Sequence, residues 1–267
     1  AKVLSTFESR KKQRELNEKL IKFALVSAAI ISILTTFGIL FSILFEAIEF
    51  FKLRSFWYFI TGATWSPGVI GSQFGALPIF AGTFVITLIA LGVAIPIGLG
   101  SAIYMSEYAS PKVRDYLKPM LEVLAGIPTV VYGFFAAITV APLVVKIAES
   151  VGLEATFNSA LASGIVMGIM IIPVISSLSD DVIRAVPDSQ RKAAFGLGMT
   201  HGETIRNIVL PSAMPGIISA SLLGLSKALG ETMIVVMAAG LRPNLSWNPL
   251  EDMTTVTVTI VNSLVGD

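Results

Sequence analysis

The sequence predicts an all-α integral membrane protein, a polytopic bundle of membrane-spanning helices. Hydrophobic residues make up 54% of the 267-residue chain and charged residues only 14%, whereas about a quarter of the residues in soluble domains are charged. A spanning helix needs roughly 20 mostly apolar residues, and several stretches reach that length. Their apolar runs are continuous rather than alternating with polar residues, which favours helices over the strands of a barrel.

Five stretches qualify as spans. In chain order they cover about residues 21–45, 80–104, 120–145, 160–178 and 212–240. Several of them contain proline, and a proline bends its helix, which a bundle tolerates when neighbouring helices satisfy the freed backbone groups. Among these prolines are Pro96, Pro128, Pro142 and Pro173. We therefore expect a packed, irregular bundle.

Residues 1–20 precede the first span and are rich in charge. The spacing of Phe7, Leu16 and Leu20 predicts a weak apolar stripe, so we expect a helix at the cytoplasmic membrane surface, with a solvated, frayed tail as the alternative. The chain opens with Ala1 and shows no signal-peptide pattern, so we expect a piece of a longer protein.

The basic residues predict the orientation, because cytoplasmic flanks of spans carry the excess of lysine and arginine. With the N-terminus inside, seven lie before or at the start of the first span, three between the second and third spans, and four between the fourth and fifth, against four outside. We therefore expect a cytoplasmic N-terminus and external segments at 51–79 and 241–267.

Composition excludes several other functions. Cysteine is absent, which excludes disulfides and thiolate sites, and the net charge of +1 gives no case for nucleic-acid binding. The only histidine, His201, lies in a connecting loop. Asp180 and Asp181 are adjacent, so they point in different directions, and we expect them to end the fourth span rather than bind a metal. We predict no catalytic residue, metal site or cofactor.

The connection at 179–211 has the pattern of two short helices with a sharp bend between them. Pro187, Asp188 and Ser189 favour a helix start, Gly196 and Gly198 favour a turn, and a second helix is expected from about Gly202.

This connection resembles the coupling loop of permease subunits in bacterial ATP-binding-cassette importers. That family's signature is Glu-Ala-Ala, three residues, Gly, nine residues, Ile, one residue, Leu-Pro, and every spacing agrees here. The family often has glutamate at the first position, where this chain has lysine. The positions that correspond to the signature, with Lys192 as the one departure, are Lys192, Ala193, Ala194, Gly198, Ile208, Leu210 and Pro211.

Other runs, among them AIPIGLGSAIYMSEYASP, LAGIPTVVYGFF and LGLSKALGETM, resemble the permease pair of inorganic phosphate importers. The likeness covers residues 56–267 and is greatest to the member of the pair with the longer first external loop. It implies a type I importer bundle over residues 21–267. That family has six spans, of which five are visible here, so we expect the last span to be absent from this sequence or carried on a separate piece.

The resemblance implies a function and a set of partners. The function is ATP-driven import of phosphate across the bacterial inner membrane by alternating access, with a permease for molybdate or sulfate, or less closely a channel or secondary transporter, as alternatives. The partners are a second homologous permease, two cytoplasmic ATP-binding subunits, an extracytoplasmic phosphate-binding protein and the lipid bilayer. The chain has no G-x-x-x-x-G-K-[ST] phosphate loop, so we expect it not to be an enzyme.

Two charged residues in the fifth predicted span are candidates for the substrate pathway. Lys227 lies 15 residues beyond Ser212, which predicts a position near mid-membrane, where charge is costly unless it faces a polar interior. Glu231 is four residues further along, so we expect both on one helix face, where they partly neutralise one another. A buried ion pair that only fixes packing is the alternative. The phosphate family more often has arginine at the position of Lys227.

Overall fold

The described residues fold mostly into helices. A computed structural model describes residues 2–68 and 71–265, with side chains from residue 17 onward. The helices are α1 (Lys2–Leu53), α2 (Phe56–Thr61), α3 (Leu77–Ile103), α4 (Pro111–Gly126), α5 (Thr129–Phe135), α6 (Ala141–Ser150), α7 (Ala160–Ala185), α8 (Asp188–Gly196), α9 (His201–Thr204), α10 (Leu210–Leu229), α11 (Met233–Ala238) and α12 (Val256–Val265). Wider π-helical turns extend α3 and join α5 to α6 and α9 to α10, at Tyr104–Tyr108, Ala136–Val140 and Ile205–Val209.

Five helical stretches of the described residues are long and apolar enough to cross a membrane, which confirms the predicted number. They are Asn17–Leu53, Leu77–Tyr108, Thr129–Ser150, Ala160–Ala185 and His201–Leu229.

The chain divides into two compact units, 1–58 and 59–267. Helix α1 makes up nearly all of the first and is continuous over 52 residues, so the backbone does not separate the predicted surface helix at 1–20 from the first span. The predicted stripe falls partly on Phe7 and Leu16, whose side chains lie outside the described residues.

The second unit is built around the contact between α3 and α7. Its core contains fully buried side chains from both helices, including Ile86, Met167, Met170, Ile171 and Ile175. Small residues allow this approach: a methyl group added at Gly168 would lie 2.8 Å from the carbonyl oxygen of Ala90. Close backbone approach through small residues is how helices associate where lipid supplies no hydrophobic driving force.

The predicted third span, 120–145, starts too early. Helix α4 ends at Gly126, and Ile127 has an extended backbone with φ −66° and ψ 130°. The residue before a proline is disfavoured in the helical region, so Pro128 ends one helix and the span begins after it, at Thr129. Helix α4 has no buried residue and is a separate, more polar element.

The predicted fifth span, 212–240, is also wrong at both ends. The helical stretch begins at His201 and ends at Leu229, and Gly230 is the residue at which α10 stops. Helix α11 begins only at Met233. Glycine and threonine are weak helix formers, which accounts for a break at 230–232.

The segment 241–267, predicted as an external loop, contains a packed helix. Val258 of α12 is fully buried, the helix contacts α3, and the backbone N–H of Val256 donates to the hydroxyl of Thr83 at 3.0 Å. In the other predicted external segment, 51–79, Trp65 and Phe74 pair across the ribbon of β1 (Trp65–Ser66) and β2 (Gln73–Phe74), with ring centroids 5.8 Å apart.

The contact of Gly82 with the segment before α12 gives a test of this packing. A methyl group at Gly82 would overlap the carbonyl oxygen of Thr254, which is backbone and cannot rotate away, whereas Gly92 on the same helix has nothing within 4 Å. We expect Gly82→Ala to destabilise the protein by about 1–3 kcal/mol through overpacking. Gly92→Ala should be neutral or stabilising by up to about 1 kcal/mol. Thermal unfolding in detergent measures both, and equal unfolding temperatures for the two variants would contradict the packing.

Candidate functional site

The loop between α7 and α10 has the predicted helix–bend–helix structure. Helix α8 starts directly after Pro187 and ends at Gly196. Gly198 has a positive φ of 83°, a left-handed conformation that glycine adopts without steric cost, and the next helix begins at His201. Helix α7 runs on to Ala185, so residues 179–185 of the predicted loop are helical.

A capping box fixes the start of α9 and was not predicted. The backbone N–H of Glu203 donates to the hydroxyl oxygen of Thr200 at 3.3 Å, and the Glu203 carboxylate accepts from the backbone N–H of Thr200 at 2.8 Å. The spacing of threonine and glutamate three residues apart is the usual sequence signal of this motif, so it could have been found. It fixes the angle at which the chain leaves the bend.

The signature residues gather where α8 faces the start of α10. Ala193, Ala194, Ile208 and Pro211 line a cavity of about 540 Å³ there. Lys192, Ala193, Gly198 and Pro211 are exposed, and Ile208 and Leu210 are half-buried. Ala194 is only 3% exposed, so its methyl group packs within this chain, and a partner surface would meet its exposed neighbours first.

Arg191 links α8 to two spans. Its Nη2 donates to Oε1 of Glu107, at the end of α3, at 2.8 Å and to the carbonyl oxygen of Ile183 at 2.9 Å, while Nη1 donates to the carbonyl oxygen of Val186. The side chains of Arg191 and Glu107 are 16% and 6% exposed. Sequence analysis did not single out either residue, because the two lie 84 positions apart and neither has a local motif.

His201 approaches the same carboxylate from the other side of the bend. Its Nε2 lies 3.8 Å from Oε2 of Glu107, and its ring lies edge-on to Tyr108 at 5.1 Å. Glu107 therefore lies between the two arms of the loop.

Asp180 does not end the fourth span as predicted but pairs with α4. Its carboxylate is fully buried, and Oδ2 accepts from Nη2 of Arg114 at 2.8 Å and lies 3.9 Å from Nζ of Lys118. Asp181 is 56% exposed and pairs with Lys118 at 2.6 Å. The pKa of Arg114 is raised above its ordinary value, first by the hydrogen bond to Asp180, with burial acting against it. Helix α4 is thereby held against the end of α7.

The structure does not place Lys227 and Glu231 on one helix face. Lys227 lies in the last turn of α10, and Glu231 lies beyond Gly230, in the break before α11. In the described part of the chain no hydrogen bond or ion pair joins the two side chains. The expected spacing of four along one helix fails because the helix ends between them.

Glu231 instead organises the break. Its carboxylate oxygen Oε1 accepts from the backbone N–H groups of Met233 and Ile234 at 3.0 and 3.2 Å. Its backbone carbonyl accepts from the hydroxyl of Thr257 on α12 at 2.9 Å. Glu231 is 7% exposed and Lys227 is half-buried.

Comparison with known proteins identifies relatives along most of the chain. Residues 94–258 match the family described as the inner membrane component of binding-protein-dependent transport systems. A probable ABC transporter permease protein, YqgH of Bacillus subtilis, is 32% identical over 254 residues, which are 94% of this chain and 81% of the relative.

Two further relatives carry a more specific name. The phosphate transport system permease protein PstC 1 of Mycobacterium tuberculosis is 34% identical over 237 residues, covering 78% of this chain and 70% of the relative. The protein named PstC in Mesorhizobium japonicum is 34% identical over 227 residues, covering 78% of this chain and 69% of the relative.

The neighbouring carboxylates of α7 provide a matched test of the buried ion pair. Asp180→Asn removes the counter-charge from a partly buried guanidinium, so we expect a loss of about 1–3 kcal/mol in the free energy of unfolding. Asp181→Asn removes an exposed pair and should cost about 0–1 kcal/mol. Thermal unfolding in detergent compares the two variants. A larger effect of the exposed position would contradict the assigned pairing.

Proposed function

The chain belongs to the family of inner membrane components of binding-protein-dependent transport systems, and from this premise we propose that it is a permease subunit of an ATP-driven importer of inorganic phosphate. The observation that carries the proposal is its identity of 34% to phosphate permeases over more than two thirds of their length. Family membership also agrees with the importer-permease fold expected from the sequence. The relatives are permease subunits of transporters rather than enzymes.

The loop structure supports a docking role for α8. The helix begins two residues after the end of α7 and exposes Lys192, Ala193 and Leu197, so it offers a short ridge to a groove on a partner. We propose that the partner is one of two cytoplasmic subunits that bind and hydrolyse ATP. This assignment requires α8, α4 and the N-terminus to be cytoplasmic, which the distribution of basic residues supports. A second homologous permease and an extracytoplasmic phosphate-binding protein complete the proposed importer.

The break between α10 and α11 supports a place for Lys227 and Glu231 in the substrate pathway. Both backbone hydrogen bonds to the Glu231 carboxylate use Oε1, which leaves Oε2 to accept a hydrogen bond from a protonated phosphate oxygen. Lys227, four residues earlier in the chain, supplies a positive charge without the bidentate fork of arginine. Sulfate carries no proton at neutral pH, so Glu231 favours phosphate over sulfate in this arrangement.

Uptake by the reconstituted importer tests the function. We expect phosphate, but neither sulfate nor molybdate, to be accumulated by vesicles that hold the full complex, and phosphate with its binding protein to stimulate ATP hydrolysis. Transport of sulfate or molybdate in preference to phosphate would support the other oxyanion class. Uptake that is independent of ATP would support a channel or secondary transporter.

Variants at the break test the proposed pathway. We expect Lys227→Gln and Glu231→Gln complexes to lose phosphate uptake by at least about tenfold, because each removes an interaction with the anion of roughly 1.5–3 kcal/mol. Glu231→Gln retains an oxygen for the N–H groups of Met233 and Ile234, so assembly and ATP binding should persist. Wild-type uptake by both assembled variants would reduce the two residues to a packing role.

Gly198 tests the shape of the docking loop. An alanine at Gly198 is strained by the positive φ whatever space surrounds it, whereas Gly196 has nothing within 4 Å and no such backbone constraint. A left-handed conformation costs a residue other than glycine about 1–2 kcal/mol, so Gly198→Ala should weaken co-purification of the ATP-binding subunits, and Gly196→Ala should not. Equal recovery of these subunits with the two variants would contradict a docking role for the bend.

A further inference from the structure

We propose that Arg191 is the positioning residue that makes α8, α3 and α7 move as one body, through its ion pair with Glu107. The inference rests on the proposed role of α8 as the helix that docks on the ATP-binding subunit. It adds a specific route by which a displacement of α8 reaches the spans.

Covalent connection alone does not supply this route. Helix α7 ends at Ala185 and α8 begins at Asp188, so only two residues join them, and a two-residue connection can act as a pivot. Helix α3 has no direct covalent connection to α8 at all. A force on α8 therefore reaches α3 either through the short connection to α7, which packs on α3, or through direct non-covalent contacts with the end of α3.

The contact of Arg191 with Glu107 is suited to this task. The Nη2–Oε1 distance is 2.8 Å, and the two side chains are 16% and 6% exposed, so water and salt screen the pair little. Hydrogen bonds between ionised groups are shorter and stronger than those between neutral ones. The pair of Arg191 with Asp188 differs, since it is 3.5 Å long and Asp188 is 83% exposed.

The rest of the guanidinium holds the end of α7. The last carbonyl groups of a helix have no partner within the helix, and Arg191 donates to two carbonyl oxygens in this region, those of Ile183 and Val186. Because a guanidinium is planar and rigid, three hydrogen bonds from one group fix its orientation relative to both spans. The side chain of Arg191 thus restricts rotation of α8 relative to α7 and also connects α8 to α3.

The other arm of the loop reaches the same carboxylate. His201, at the start of α9, lies 3.8 Å from Glu107 Oε2 and against the ring of Tyr108. Side chains from both helices that flank the bend therefore lie at the end of α3, with Glu107 between them.

Distance measurements between spin labels test this inference directly. The chain has no cysteine, so cysteines placed at two exposed sites, Ser189 on α8 and Tyr104 after α3, give a unique labelled pair in a complex whose other subunits lack cysteine. We expect the label distance to be the same in the nucleotide-free and ATP-trapped complex. In the Arg191→Gln complex, the distribution of label distances should broaden, and its mean should differ between the nucleotide-free and ATP-trapped states. A wild-type distance that changes between these states to the same extent as in the variant overturns the proposal.

Transport measurements provide the second readout. We expect Arg191→Gln and Glu107→Gln to lower the amount of phosphate moved per ATP hydrolysed by about tenfold while basal hydrolysis continues. The double variant should be no worse than either single one, because the two residues act through each other. Arg184→Gln is the matched control, since Arg184 is exposed in the last turn of α7, and it should behave as wild type. Additive losses, or a wild-type ratio in Arg191→Gln, overturn the proposal.

Arg191→Lys covers the case in which the glutamine variant does not assemble. Lysine keeps the charge for Glu107 but not the fork that also reaches the α7 carbonyls, so we expect normal assembly with an intermediate transport ratio and a broadened label distance. A wild-type ratio and distance in this variant contradict the proposal. The label distance does not depend on which substrate is transported. A wild-type complex that hydrolyses ATP without moving phosphate would therefore refute the proposed function, and the label distance would still test the role of Arg191.

Discussion

The close packing of α3 on α7 is the constraint on which the rest of the second unit depends. In lipid, apolar side chains gain little by leaving one hydrocarbon environment for another, so helices associate through dense contact rather than through hydrophobic driving force. Gly168 allows the backbone of Ala90 to approach, and Met167 and Ile171 fill the remaining core. Once these two helices are fixed, the elements at each end of them have fixed positions to attach to.

The two ends use different chemistry. At one end, ion pairs attach α4 to α7 through Arg114 and Asp180 and α8 to α3 through Arg191 and Glu107. At the other, backbone and hydroxyl contacts attach α12 to α3 near Gly82 and Thr83. At the first of these ends, the carbonyl oxygens where α7 stops also accept hydrogen bonds from the guanidinium of Arg191, so one side chain satisfies backbone groups and pairs with Glu107.

Sequence reasoning found the features that local signals encode and missed those that depend on distant residues. The lengths of the apolar segments predicted five spans, and the glycines of the loop predicted its bend at Gly198. Pro128 was read as a kink within a span, although its effect on the preceding residue ends α4. Asp180 was read as the end of a helix because its partner, Arg114, lies 66 positions away. No local pattern indicates which of two neighbouring carboxylates faces inward.

The interrupted helix at Glu231 shows how the corrected geometry bears on function. Irregular backbone at membrane depth persists only where protein buries it or a polar cavity surrounds it. Here the carboxylate supplies the acceptor for two N–H groups that the break would otherwise leave unpaired, and Thr257 satisfies its carbonyl. In a continuous helix, Lys227 and Glu231 would lie on one face and would partly neutralise each other. Because the helix ends between them, the two side chains do not pair along one helix face, and the proposed substrate pathway depends on this arrangement.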